Sequence, residues 1–228
     1  MNTMISELRT DLSLAFRTVS FDAGAAPRRL LVLLHGVGGD ETNLAALGRT
    51  LSDTRVVLAR GPLALGPDQH AWFQVAFGAQ GPRPDLAAAE QSRQRLSSFL
   101  SELQAEYAIP AGRTVVAGFS QGGIMSASLG LTRPELVAGF GILAGRILPE
   151  IAPQLAPAAA LAQVNAFIGH GRDDSKLGVD WALRADAWLG ELGVPHETRL
   201  YPGEHAVSPA MQGDFLAWLA RTFGQPQK

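Results

Sequence analysis

The sequence predicts a doubly wound α/β fold, a mostly parallel sheet with helices on both faces. Three observations predict it. Short continuous apolar runs recur along the chain, helical stripes fall between them, and the two kinds alternate over nearly the whole length. The apolar runs lie at 30–34, 55–59, 114–119, 137–143, 164–168 and 197–201. Runs this short and this continuous fit strands buried on both faces, as in a parallel sheet. The first helical stripe is Leu96, Phe99, Leu100, Leu103 and Tyr107, stopped by Pro110. A second, Trp181, Ala185, Trp188, Leu189 and Leu192, is closed by Gly193 and Pro195. Met211, Phe215, Trp218, Leu219 and Phe223 form the third. Their aromatic residues read as core.

At 228 residues, 46% hydrophobic and 18% charged, the chain reads as one soluble domain over 1–228, without repeat or linker. A net charge of −2 and no basic cluster larger than Arg28-Arg29 argue against nucleic acid or an anionic membrane as partner. The absence of cysteine removes disulfides, thiolate metal sites and a thiol nucleophile together. Glu7, Arg9 and Asp11 interrupt the apolar N-terminal stretch, so no signal peptide is expected. No apolar run approaches the roughly 18 residues of a membrane span. A cytoplasmic protein is the expectation.

One connection is disproportionate. The stretch "RGPLALGPDQHAWFQVAFGAQGPRP" joins a strand ending near Ala59 to a helix opening at Asp85. Ordinary links of this kind take roughly 2–6 residues. It leaves the carboxyl end of a strand, where ligands bind in open α/β sheets. Its apolar residues Leu63, Leu65, Trp72 and Phe73, with Leu148 and Ile151 from a later loop, are the candidate walls for a substrate.

The chemistry centres on Ser120. Gly118-Phe119-Ser120-Gln121-Gly122 matches G-x-S-x-G, with a β-branched run before it and a helical stretch after it. That context is a nucleophile elbow, a sharp turn that lifts the hydroxyl above the sheet. A plain strand-to-helix corner with Ser120 as a helix cap is the bland alternative. A serine needs a histidine to take its proton and an acid to orient that histidine. His205, in "TRLYPGEHAVSP", follows a strand on the same sheet edge and is the candidate base. His196 precedes that strand and falls at the opposite edge. The acid lies in "GHGRDD", where neighbouring side chains point apart, so only one of Asp173 and Asp174 reaches the base. "LLHGVGGDE" provides a glycine-rich turn for an oxyanion, giving the amides of Val37 and Gln121 as donors. It is neither G-x-G-x-x-G nor a phosphate loop with its lysine.

Taken in order, "LHGVGGDETNL", "GFSQGG", "LAGRILP", "GHGRDD" and "GEHAVS" resemble the phospholipase/carboxylesterase family of α/β-hydrolases, which includes the acyl-protein thioesterases. The likeness runs from about Arg28 to Phe223. It implies an α/β-hydrolase fold without a separate cap domain, and hydrolysis of carboxylic esters or thioesters with no cofactor; the apolar wall residues of the loops suit a short to medium acyl chain. The family's H-G-x-x-D pattern places the acid at Asp174, leaving Asp173 to solvent. His35 and His170 are expected as hydrogen-bonding neighbours of the site rather than metal ligands, and no metal is expected. The expected partner is a small ester or thioester; a homodimer stays open.

Overall fold

The structure, a computed structural model, describes residues 4–20, 27–51, 53–78 and 81–224. Its strands are β1 (Met4–Ile5), β2 (Phe16–Ser20), β3 (Arg29–Leu34), β4 (Thr54–Ala59), β5 (Leu63–Gly66) and β6 (Gln69–Ala71). They continue with β7 (Val75–Gly78), β8 (Gly81–Pro84), β9 (Thr114–Phe119), β10 (Gly139–Leu143), β11 (Asn165–Gly171) and β12 (His196–Tyr201). The helices are α1 (Ala45–Gly48), α2 (Leu86–Tyr107), α3 (Gln121–Thr132), α4 (Ala158–Leu161), α5 (Asp180–Glu191) and α6 (Pro209–Gly224).

An eight-stranded sheet runs in the order β1-β2-β4-β3-β9-β10-β11-β12. From β4 to β12 every pairing is parallel, whereas β1 and β2 are antiparallel additions. The parallel part follows from side-chain alternation with both faces apolar. Leu30, Val32 and Leu34 of β3 join a core beneath α2, α3 and α5, while Leu31 and Leu33 join a second core beneath α1 and α6. The helical stripes seat as expected: Leu96, Phe99, Leu100 and Leu103 are fully buried, and Phe215 and Trp218 stack with Phe167 of β11. Trp181 and Trp188 are only half-buried, and the Arg146 guanidinium lies 4.4 Å from the Trp181 ring.

Chain direction fixes where the site falls. After β3 the chain moves to β4 on one side, and after β9 it moves to β10 on the other. The carboxyl ends of β3 and β9 therefore flank the topological switch point, where loops diverge and leave a crevice. The long connection folds into two hairpins, β5–β6 and β7–β8, rather than an irregular loop. Residues Gly39 and His70 form an isolated bridge that ties the first hairpin to the turn after β3.

Candidate active site

The chain turns from β9 into α3 within one residue. Ser120 adopts φ 54° and ψ −115°, a region that non-glycine residues enter only when their surroundings hold them there. Two glycines make the turn feasible. A Cβ on Gly118 would stand 2.2 Å from the Gly122 carbonyl carbon, and one on Gly122 would stand 2.1 Å from the Leu34 carbonyl oxygen. Ser120 caps nothing with its side chain. Instead its Oγ lies 2.9 Å from His205 Nε2, and His205 Nδ1 lies 2.7 Å from Asp174 Oδ2. The corner-only reading of Ser120 does not describe this geometry.

Asp174 is buried and surrounded by donors. Its Oδ1 accepts the amides of Lys176 at 2.9 Å and Leu177 at 2.8 Å. Burial pushes this carboxyl up, but the Leu177 amide, the His205 ring and the Lys176 amide outweigh it and hold the group below the usual aspartate range. Asp173, expected to be merely solvated, has a task. Its Oδ2 accepts the Gly203 amide at 3.0 Å, and its own amide donates to the Gly203 carbonyl, so it fixes the loop that carries His205. The Phe119 ring backs the His205 imidazole at 4.8 Å between centroids.

The turn after β3 is held from several sides. His35 accepts the Gly61 amide at Nε2, so its proton sits on Nδ1 and donates to the Gly36 carbonyl at 2.7 Å. Burial lowers the His35 pKa, which keeps the ring neutral and preserves that pattern. The Trp72 indole donates to the His35 carbonyl, the Gly38 amide donates to the His70 carbonyl, and the His70 amide donates to the Gly39 carbonyl. Buried Glu41 binds both Arg17 and Arg60. Among the described residues, the Val37 and Gln121 amides donate to nothing within the protein.

A cavity of about 910 Å³ opens over Ser120, with a mostly apolar lining. Leu65 and Phe73 line it; Leu63, Trp72 and Leu148 do not. The physical reason is packing direction. Trp72 is 1% exposed and turns into the core beside His35, and Leu148 is buried in the core with it. Phe73, the next residue along, is equally buried in the same core at 2% exposed, yet also lines the cavity. Sequence reasoning did not find Val75 and Leu177, which also line it. Leu177 carried a signal, being an apolar residue, with Val179, in an otherwise polar and glycine-containing loop after Asp174. It also missed the Gln121 side chain, which accepts the Trp72 amide and donates to the Phe73 carbonyl, both at 2.8 Å. The residue after Ser120 thereby clamps the cavity wall to the elbow. His196 stands apart, 3.3 Å from Asp186, at the start of β12.

A family profile described as Phospholipase/Carboxylesterase matches residues 20–222. The chain belongs to this family. As a phospholipase/carboxylesterase member it is a hydrolase acting on ester bonds. It is 29% identical over 230 residues to acyl-protein thioesterase 1 of Mycosarcoma maydis, covering 87% of this chain and 93% of that protein. Among solved structures it is similar to a carboxylesterase from Mesorhizobium loti, with TM-score 0.80 and 26% identity over 96% of this chain and 99% of that one. Esterase PE8 is similar at TM-score 0.78 and 26% identity, covering 93% of this chain and all of that one (100%). The architecture is thus the α/β-hydrolase fold that phospholipase/carboxylesterase members share. No described helix is long and apolar enough to cross a membrane.

Proposed function

We propose that this family member is a serine esterase of short to medium acyl chains that works through an acyl-enzyme on Ser120. The observation that carries the reading is the unbroken line from Ser120 Oγ through the His205 ring to Asp174 Oδ2, set at a left-handed elbow beneath an open apolar cavity. His205 Nε2 takes the Ser120 proton as Oγ attacks the acyl carbonyl, and Asp174 keeps the histidine proton on Nδ1. The Val37 and Gln121 amides receive the oxyanion, the Gln121 donor adding the positive end of α3. The tetrahedral centre collapses as His205 returns its proton to the departing alkoxide. Water then attacks the acyl-serine with the same histidine as base, releasing acid and free enzyme.

The acyl chain lies against Leu65 and Phe73, with Val75 and Leu177 extending the wall. Thioesters are a second reading, favoured by the relatives named acyl-protein thioesterase, since the same machinery expels a thiolate. A fluorophosphonate probe should label the wild type once and Ser120→Ala not at all. A parallel screen of nitrophenyl esters, thioesters and amides gives the substrate order. Labelling that persists in Ser120→Ala, or hydrolysis that survives it, rejects the reading.

A further inference from the structure

His170 is the buried group that this mechanism leaves unused. It sits near the end of β11 with no exposed surface, between Gly169 and Gly171. Its Nε2 lies 2.7 Å from the Leu177 carbonyl and 3.2 Å from Asp174 Oδ2. Both neighbours only accept, so Nε2 bears the proton. Its Nδ1 is buried without a hydrogen-bond partner among the described residues. A structural histidine would be expected to use both ring nitrogens, as His35 does. One bare nitrogen means that this ring is placed for what Nε2 does.

What Nε2 meets is the oxygen that His205 uses. Asp174 Oδ2 accepts from His205 Nδ1 at 2.7 Å and lies 3.2 Å from His170 Nε2, whose proton goes to the Leu177 carbonyl, while Oδ1 takes the amides of Lys176 and Leu177. We infer that His170 is a positioning residue of the reaction, a second imidazole that holds the Asp174 carboxylate in its working rotamer through Leu177, whose carbonyl takes the His170 proton and whose amide binds Asp174 Oδ1. The inference rests on the triad reading above. It gives His170 two effects. Asp174 cannot rotate without breaking contacts on both oxygens. The His170 N–H also stands 3.2 Å from the oxygen facing His205 and offsets part of its negative charge, so removing it changes the field at the base. The other end of the same proton is the Leu177 carbonyl, so one ring fixes the acid and a residue of the acyl wall.

Other charges reach the pair too. Asp173, Lys176 and Glu204 come from the two loops carrying Asp174 and His205, and Arg172 precedes them. The elbow side contributes Ser120 and the uncharged Phe119, and the long connection brings Arg83 and Asp85 to the cavity's far wall. These remain in place in a His170 variant, so a change in pH profile isolates the ring.

The test compares wild type, His170→Phe and His170→Gln by kcat and KM against pH on a nitrophenyl ester. His170→Phe keeps ring volume and loses the donor; it should move the acid limb upward by about half a pH unit and lower kcat on the order of tenfold, with KM nearly unchanged. His170→Gln, which can offer an N–H at a similar place, should restore the limb in part. An unmoved limb in both variants, with only thermal stability lowered, overturns the inference. If neither variant folds, long-range proton–nitrogen NMR on the wild type decides. A proton on Nε2 and none on Nδ1 supports the assignment, and a proton on Nδ1 alone removes it. Asp174→Asn and His205→Ala run beside these; if they retain activity it is the triad reading that fails, whereas their inactivity with an unmoved limb condemns only the role of His170.

Discussion

Replacing Gly118 by alanine should damage the enzyme far beyond the size of one methyl group. The new Cβ would meet the carbonyl carbon, carbonyl oxygen and Cα of Gly122 at 2.2, 2.4 and 2.8 Å. All three atoms are backbone, so no side-chain rotation relieves the overlap. Strand β9 and the first turn of α3 must separate by about an ångström. Overpacking of this kind costs about 1–3 kcal/mol, and with no flexible neighbour the upper end applies. For a chain of this length that lowers Tm by about 6–12 °C. The same displacement carries the Gln121 amide off the oxyanion position, and the proposed mechanism then loses about 10²–10³ in kcat. KM should change much less, because the apolar wall is elsewhere. Calorimetry and ester kinetics on Gly118→Ala would be read beside Gly213→Ala. Gly213 lies in α6 with nothing within 4 Å of its would-be Cβ, so that variant should gain about 0.5–1 kcal/mol and keep its activity. Wild-type kcat and Tm in Gly118→Ala would refute the close-approach argument outright.

Asp174→Asn should lower kcat on the order of 10⁴-fold by leaving His205 in the wrong tautomer, whereas Asp173→Asn, whose amide oxygen can still accept from Gly203, should cost little. Greater harm from Asp173→Asn would reverse the two roles. Phe73→Ala should flatten the rise of kcat/KM with acyl length, chiefly through KM, since each methylene against the wall contributes about 0.8 kcal/mol. Trp72→Ala should instead lose about 3–5 kcal/mol of stability with no dependence on chain length, because its ring belongs to the core. A chain-length effect confined to Trp72→Ala would invert that assignment. Burial works against the charge of Glu41, yet bonds from Arg60 and Arg17 hold its pKa at about 2, below the ordinary glutamate value of 4.5. Its stabilising effect is therefore complete above pH 4.5 and lost as pH falls toward 2. Acid unfolding curves of wild type and Glu41→Gln should draw together over that interval, and curves that stay parallel would count against the ion-pair account.

The interior of the sheet was legible because each of its strands is buried on both faces, which writes a continuous apolar run. The boundaries slipped where another interaction took over. The run at 137–143 loses its first two residues to the turn that Pro134 opens, and the strand begins at Gly139. Strand β2 escaped notice because Arg17 and Thr18 interrupt the apolar pattern of Phe16 and Val19 beside the antiparallel edge. In the site, residue types at strand ends pointed to Ser120, His205 and the pair Asp173-Asp174, and only the family resemblance singled out Asp174. The wall could not be read in the same way. Trp72 and Phe73 are adjacent, apolar and both buried in the core, and only the turn of the chain after β6 decides which of them also lines the cavity. The approach of His170 to Asp174 was hidden for a similar reason, since the spacing between them spans a strand end and a loop rather than a regular element.

The strain at Ser120 and the freedom of the two amides belong to one arrangement. A serine at φ 54° relaxes unless its neighbours forbid it, and here they do. Its own amide is taken by the Leu143 carbonyl, its carbonyl by the Ile124 amide, and the glycines on either side leave no space for the turn to open. The polar groups around it are likewise committed. The Gln121 side chain is spent on the wall, Gly38 and Gly39 on the bridge to His70, and the His35 carbonyl on Trp72. Among the described residues the Val37 and Gln121 amides have no internal acceptor, and both residues line the cavity over Ser120. Donors already fixed in this way need no reorientation when charge develops on the substrate, which is the condition under which an oxyanion site is most effective. Loosening the wall should therefore reach the chemistry through Gln121. A Gln121→Ala variant keeps its backbone amide yet should lose kcat on short esters as well as long ones, whereas Phe73→Ala should penalise the long ones alone.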